Sequence, residues 1–364
     1  MKKILIVVGT RPNFIKVTQF KNAARKYSSL ELKIVHTGQH YDSKMADVFF
    51  QQFNLTPDYF LNISAASANA QIAEIMINLE QLIQTKFKPD LMIVVGDVNS
   101  TFAAALTANK MNIKLAHLES GLRSFDKTMP EEHNRILTDA IADYFFITEK
   151  SGTENILKEG VANEKIFFVG NTMIDTLVAF RTQISQSNVL EKYKIESDKF
   201  VLMTMHRPAT VDNKEGLSKL IELINLVTEK YKLVFPIHPR TLKNIELFGL
   251  SESISKNKNI IYTEPLDYFS FQKLISEAKF ILTDSGGIQE ESTYLLKPCL
   301  TLRPNTERPI TVTLGTNTLV PFDIQKINNL IVVIENGTYK KGAIPTLWDG
   351  KATERILQIL SSQI

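Results

Sequence analysis

The segment Phe280-Ile281-Leu282-Thr283-Asp284-Ser285-Gly286-Gly287-Ile288-Gln289-Glu290-Glu291 runs from an apolar strand pattern straight into a helical one. Ser285-Gly286-Gly287 forms the turn between them. Glycines there let an anion approach the backbone, and the first N–H groups and the dipole of the helix point at it. Glu290 and Glu291 read most simply as acids of the first helical turn. A phosphate site flanked by acids is odd unless one acid binds hydroxyls, so Glu291 is a candidate acceptor for a ribose. A strand feeding a helix in this way is the repeating unit of an α/β fold.

The unit recurs outward in both directions. Apolar runs at Phe200–Met205, Leu233–Ile237, Ile260–Tyr262 and Cys299–Leu302 read as buried strands, with helices such as Lys214–Glu229 and Tyr268–Ala278 between them. Toward the N-terminus, strands are expected at Ile4–Val8, Leu32–His36, Leu91–Val95, Lys114–Leu118, Tyr144–Ile147 and Lys165–Val169. Helical patterns there include Phe102–Lys110, Glu131–Ala142 and Gly152–Lys158. Such alternation builds parallel sheets covered on both faces. Residues 181–198 are polar and weakly patterned and mark a boundary. The expected fold class is therefore α/β, with two Rossmann-like domains, 1–180 and 181–351, facing a cleft at the carboxyl ends of their strands. At about 150 residues per domain, a chain of 364 residues agrees with two.

Composition narrows the function. With 42 basic and 39 acidic residues the net charge is only +3, which gives no case for a nucleic-acid partner. Cys299 is the one cysteine, so an intrachain disulfide and a cysteine zinc site are excluded, and it reads as a small core residue. The apolar run Ile4–Val8 is too short for a signal peptide, and nothing approaches the roughly 18 apolar residues of a membrane span. The expectation is a soluble cytoplasmic protein with no membrane partner.

Polar residues at strand ends carry the chemistry. After the first strand, Gly9-Thr10-Arg11-Pro12 and Lys16 place two cations near a helix start, an anion site or a solvated turn. The Gly-x-Gly-x-x-Gly dinucleotide fingerprint is absent. Gly96-Asp97 ends the third expected strand, and Asp97 is either the N-cap of the next helix or a cleft carboxylate. Glu119 directly follows another apolar strand, which a solvated face does not explain. Thr128-x-x-Glu131 fits a capping box, and Glu131 with Arg135 fits a pair four residues apart on one helical face. His133 lies between polar neighbours but lacks His-Glu-x-x-His spacing, so no metal site is read. His206 sits at the carboxyl end of a strand and is expected to face the cleft.

These blocks resemble the non-hydrolysing UDP-N-acetylglucosamine 2-epimerases over nearly the full chain. The matching stretches are Gly9-Thr10-Arg11-Pro12 with Lys16, Thr37-Gly38-Gln39-His40, Gly96-Asp97 and His117-x-Glu119-x-Gly121-Leu122-Arg123. They continue with Pro130-Glu131-Glu132-x-Asn134-Arg135, His206-Arg207, Glu264-Pro265-x-Asp267-Tyr268, Thr283–Glu291 and Thr306-Glu307-Arg308-Pro309. The resemblance implies the glycosyltransferase-B type of twin domain, a homodimer, and a C-terminal helix, 352–364, crossing back onto the first domain. It implies a UDP site in the second domain. Phe271 would stack on uracil, the Leu266 backbone would read its edge, Ser285, Gly286 and Gly287 would hold the diphosphate, and Glu291 the ribose. Arg11 and Arg308 would add positive charge. Lys16, Asp97, Glu119, Glu131 and His206 would surround the sugar C1–C2 bond as the catalytic set. No cofactor and no metal is implied.

The implied activity is reversible C2 epimerisation of UDP-GlcNAc to UDP-ManNAc through 2-acetamidoglucal, supplying cell-surface polysaccharide synthesis. The C2 hydrogen is not next to a carbonyl, so elimination and re-addition of UDP replaces enolisation. The alternatives are the same reaction on UDP-2,3-diacetamido-2,3-dideoxy-glucuronate, or a glycosyltransferase of the same fold. Two segments depart from the family pattern. Many bacterial members follow His-Arg with Arg-Glu-Ser or Arg-Glu-Asn, which help bind an activating second UDP-GlcNAc. Here Pro208-Ala209-Thr210 follows, and Tyr41-Asp42-Ser43-Lys44 stands where Arg and Gln are common. His238 of the activator site is retained. Loss of activation by UDP-GlcNAc is the expectation.

Overall fold

Seven strands of the N-terminal half pair in one parallel sheet. They are β1 (Lys2–Val8), β2 (Leu30–His36), β3 (Tyr59–Phe60), β4 (Leu91–Val95), β5 (Lys114–Leu118), β6 (Tyr144–Ile147) and β7 (Ile166–Phe168), in the order β3-β2-β1-β4-β5-β6-β7. The second half forms β8 (Phe200–Thr204), β9 (Lys232–Pro236), β10 (Ile260–Thr263), β11 (Phe280–Thr283), β12 (Cys299–Thr301) and β13 (Asn317–Leu319), in the order β10-β9-β8-β11-β12-β13. Both sheets are parallel throughout. The computed structural model describes residues 1–38, 50–237, 239–255 and 257–363. It divides into two units, Met1–Ala179 with Thr346–Ile364, and Phe180–Pro345.

The strands form because nearly continuous Val, Ile and Leu runs are buried on both faces, as in β4, where every residue is buried. Each such side chain contributes roughly 1.5–3 kcal/mol when taken from water. Amphipathic helices supply the covering layers. The helix Lys214–Thr228, for example, buries Leu217, Leu220, Ile221, Leu223 and Ile224 against the second sheet. Two strands leave no trace in the hydrophobic pattern. β3 has two residues, and β13 is Asn317-Thr318-Leu319, too short and too polar to stand out. The weakly patterned 181–198 stretch folds as two short helices, Arg181–Ser185 and Val189–Tyr193.

In each sheet the strand order reverses at one place, between β1 and β4 and between β8 and β11. At such switch points the connections leave in opposite directions and open a crevice at the carboxyl ends of the strands. The segments after these four strands are Gly9–Lys16, Gly96–Thr101, Met205–Arg207 and Asp284–Gly287.

The helix Ala352–Ser362 belongs to the first unit. Its own N-cap, Lys351, offers no side-chain bond, and the buried carboxylate of Asp175 takes that place, accepting from Ala352 N at 3.1 Å and Thr353 N at 2.6 Å. Ahead of it, Trp348 is buried and donates its indole N–H to Thr148 O at 3.0 Å.

Candidate active site

At the first switch point, Asn13 ties the turn after β1 to the neighbouring strand by donating to Val95 O at 3.1 Å. Lys16 then reaches Glu119, with Nζ 2.5 Å from Oε2, and both side chains are nearly inaccessible, at 5% and 2%. Deleting one partner of such a pair leaves the other charge buried, typically about 3–5 kcal/mol. Glu119 stands just past β5 with φ 70°, the left-handed region that side chains avoid. Holding a residue there costs on the order of 1–3 kcal/mol and is commonest at functional sites. Gly96, at φ 68°, borders the pair: a Cβ there would lie 3.1 Å from Asn13 Nδ2, 3.4 Å from Lys16 Nζ and 3.7 Å from Glu119 Oε2.

Asp97 is not a helix cap, because Val98 holds the N-cap position of the helix Asn99–Lys110. Its Oδ2 instead accepts from Arg135 Nε at 3.1 Å and Nη2 at 2.9 Å, and Asn134 Nδ2 donates to its carbonyl at 2.9 Å. The capping box expected at Thr128 is also absent. Pro130 opens the helix Pro130–Ile141 behind the N-cap Met129, so Glu131 falls one position early for a box with Thr128. Thr128 donates its hydroxyl to Asp126 Oδ1 at 2.6 Å instead. Nor does Arg135 turn to Glu131; it binds Asp97 and Glu132. Glu131 is left half-buried at the helix start.

At the second switch point, Asp284 gathers the chain after β8. Its Oδ2 accepts from His206 N at 2.9 Å and Arg207 N at 2.8 Å, and its Oδ1 lies 3.0 Å from His206 Nδ1. Asp284 is wholly buried and His206 half exposed. Burial alone would raise the Asp284 carboxyl, but the hydrogen bond and charge of His206 and the two backbone donors outweigh it, so it is held below the usual value. The contact fixes the imidazole with Nδ1 toward the carboxylate and leaves Nε2 for other work.

Beside it, Ser285 is the N-cap of the helix Gly286–Tyr294 and makes no side-chain cap bond. A Cβ on Gly286 would lie 3.2 Å from Arg308 Nη1, so that guanidinium sits against the helix start. Arg308 pairs with Glu290 at 2.8 Å and with Glu307, and Arg303 pairs with Glu307 at 3.1 Å. Burial, joined by the nearby charges of Arg207 and Arg308 and opposed by Glu307, lowers the Arg303 guanidinium from its ordinary value. The Glu307 carboxylate borders the same helix start, 2.9 Å from that Cβ, so the Arg308 guanidinium is held there by its carboxylate partners, beside helix N–H groups suited to an anion. Glu290 and the buried Glu291 lie past the first turn of this helix, so they are not first-turn acids. Leu266 and Phe271 are partly buried against the core cluster that includes Leu274, Ile281 and Ile288.

The family profile described as UDP-N-acetylglucosamine 2-epimerase matches residues 22–361. A UDP-N-acetylglucosamine 2-epimerase from Methanocaldococcus jannaschii is 41% identical over 365 residues, 99% of each chain. This chain belongs to the UDP-N-acetylglucosamine 2-epimerase family. The crystal structure of the UDP-GlcNAc 2-epimerase from that organism, in complex with UDP-GlcNAc and UDP, superposes with a TM-score of 0.90 at 40% identity, covering 99% of both chains. The UDP-2,3-diacetamido-2,3-dideoxy-D-glucuronate 2-epimerase of Pseudomonas aeruginosa is 37% identical over 87% of this chain and 88% of its own.

In this family member the sequence-derived residues fall into two sets. The first unit carries Arg11, exposed at the first position of its helix, with Lys16, Asp97, Glu119 and Glu131. The second carries His206, Leu266, Phe271, Ser285, Gly286, Gly287, Glu291 and Arg308. Gln39, His40, Tyr41–Lys44 and His238 lie outside the described residues. Sequence reasoning did not assign the residues that hold these in place: Asn13, Asp284, and Arg135, which it paired with Glu131 instead of Asp97. Asp284 was within reach, since it stands at a strand end beside Ser285. Arg135 gives no such signal, because its partner Asp97 lies in a different element. Among the described residues no group of His, Cys, Asp and Glu could hold a metal ion, and no helix is long and apolar enough to cross a membrane.

Proposed function

We propose that this chain interconverts UDP-GlcNAc and UDP-ManNAc, working as a cytoplasmic homodimer that supplies cell-surface polysaccharide synthesis. The observation that carries the reading is the buried Lys16–Glu119 pair beside Gly96-Asp97. Two carboxylates held by cations at adjacent strand ends, Asp97 by Arg135 and Glu119 by Lys16, form a set suited to proton transfer. Family membership supports the substrate class.

In the forward direction one carboxylate of the set Asp97, Glu119 and Glu131 takes the C2 proton. The C–H electrons form the C1=C2 bond, and the C1–O bond breaks with its electrons on the UDP phosphate oxygen. Arg11, Arg308 and the Gly286 helix start neutralise the departing diphosphate, which Ser285, Gly286 and Gly287 hold. Re-addition forms the C1–O bond again while an acid on the other face returns a proton to C2. His206, its ring set by Asp284, is assigned to the sugar and its leaving group. Phe271 stacks on uracil, the Leu266 backbone reads the base edge, and Glu291 accepts from the ribose. The route needs no nicotinamide.

Incubation with UDP-GlcNAc in D₂O, followed by NMR, tests the proposal. Deuterium at C2 of both UDP-sugars is the expected result. Free sugar would mean hydrolysis. A second reading keeps the chemistry and changes the sugar to UDP-2,3-diacetamido-2,3-dideoxy-glucuronate, favoured by the identity to the Pseudomonas aeruginosa enzyme. Exchange with that substrate and none with UDP-GlcNAc would replace the first reading by the second.

A further inference from the structure

His117 is the fourth residue of β5 and its side chain is wholly buried, at 0% exposure. Its Nε2 lies 2.7 Å from Gly96 O, and its Nδ1 lies 2.6 Å from Asp139 Oδ1. A carbonyl oxygen only accepts, so Nε2 carries a proton. Asp139 is ringed by other donors. Ser120 Oγ donates to Oδ1 at 2.7 Å, Gly121 N donates to Oδ2 at 3.1 Å, and the Arg123 guanidinium lies 2.7 Å from Oδ2. Burial would raise this carboxyl, yet the charge and hydrogen bonds of His117, Arg123 and Ser120 hold it far below the ordinary range.

The ring thus grips the turn that bears the candidate carboxylates. Gly96 adjoins Lys16 and Glu119, and Asp97 follows it. The helix that supplies Asp139 also supplies Asn134 to the Asp97 carbonyl and Arg135 to its carboxylate. Consecutive residues, Gly96 and Asp97, are therefore fixed from one helix, the first through His117. The charges around the ring are Asp139, Arg123 with its partner Glu159, and, across Gly96, Lys16 and Glu119. The flanking strand neighbours, Val94 and Phe145, are uncharged.

We propose that His117, paired with Asp139, is a positioning residue: through its Nε2–H it pins the Gly96 carbonyl and so sets Asp97 and the Lys16–Glu119 pair in their reactive arrangement. The inference rests on the proton-transfer reading of those acids.

Two measurements test it. In ¹⁵N-histidine protein, the resonances lost in His117→Phe identify the ring, and its Nε2 should carry a proton protected from solvent exchange in the unmodified protein. Asp139→Asn should loosen the ring and make that proton exchange faster. A ring whose Nε2 carries no proton in the folded protein overturns the proposal, whatever the variants do. In the second measurement, His117→Phe should lower C2 deuterium exchange roughly 10²-fold, the scale of a misplaced catalytic group. UDP affinity should stay unchanged. His117→Gln, whose amide can donate to Gly96, should recover part of the loss. Folded variants with undiminished exchange overturn the positioning role. If the unmodified protein epimerises no UDP-sugar, the functional reading falls, and the protected Nε2 proton still decides whether His117 holds Gly96.

Discussion

Asp284 takes Nδ1 of the half-exposed His206 ring, whereas the buried His117 ring has both nitrogens engaged. Each with an aspartate of its own, Asp284 for His206 and Asp139 for His117, the two histidines are suited to different tasks, and substitution should separate them. His206→Asn should reduce turnover roughly 10²–10⁴-fold, the range for an acid–base group, without lowering the melting temperature much. Deuterium incorporation and thermal melts read the two quantities. Glu131→Gln is now a clean test as well. The capping box is absent, so a loss of turnover in a variant of normal stability reports chemistry, and undiminished turnover removes Glu131 from the catalytic set. Acid titration carries a further expectation. Asp139 and Asp284 are both held below the usual aspartate value in the fold. Their stabilisation is complete above the unfolded value of about 3.9 and disappears as pH falls through the lower folded values. Asp139→Asn should flatten that part of the stability–pH curve measured by denaturant unfolding.

Elements explain what the sequence made legible. Strand ends were readable because an apolar run that stops at a polar residue marks both the strand and the position of that residue. Asp97, Glu119 and His206 were found in this way, whereas Lys16 was read with Arg11 as a cation near a helix start and lies at the C-cap of that short helix. Their holders were not, since periodicity describes one element at a time and Arg135 acts across elements. Proline decided the error at Thr128: at the first helical position Pro130 sets the helix start, and a matching Ser/Thr-x-x-Glu spacing cannot move it. Gly96 joins β4 to this network. Gly96→Ala combines φ 68° with a methyl 3.1 Å from Asn13 Nδ2. It should cost about 1 kcal/mol or more in denaturant unfolding and also depress turnover. At the other end of the first unit, Asp175→Ala removes the carboxylate that caps the helix Ala352–Ser362. A loss of about 0.5–2 kcal/mol is expected, with faster amide hydrogen exchange confined largely to that helix.

At the scale of the whole molecule, both α/β units were legible from the alternation of patterns, and regulation is the open property. The departing segment folds as the short helix Pro208–Val211 and ends at Asp212, whose carboxylate binds Arg240 and accepts from Asn244 Nδ2 at 3.1 Å. An internal acid is thus the partner of this arginine. The expectation is hyperbolic kinetics, with conversion of pure UDP-ManNAc starting without a lag. A lag relieved by traces of UDP-GlcNAc would show that activation persists.

The first unit is assembled from both ends of the chain, with Phe180–Pro345 intervening. Translation makes Met1–Ala179 first, yet Ile356, Leu357 and Leu360, which are buried in the finished unit, arrive last. At roughly 5–20 residues per second the ribosome needs on the order of ten to thirty seconds to cross the intervening segment. Throughout that interval the nascent N-terminal sheet presents an apolar seat with no helix to fill it, while the later-made unit has every residue it needs to close. Chaperones that bind exposed apolar surface should therefore find this protein on its earliest-made half, and synthesis halted at Pro345 should yield a chain whose second unit resists protease and whose first is digested.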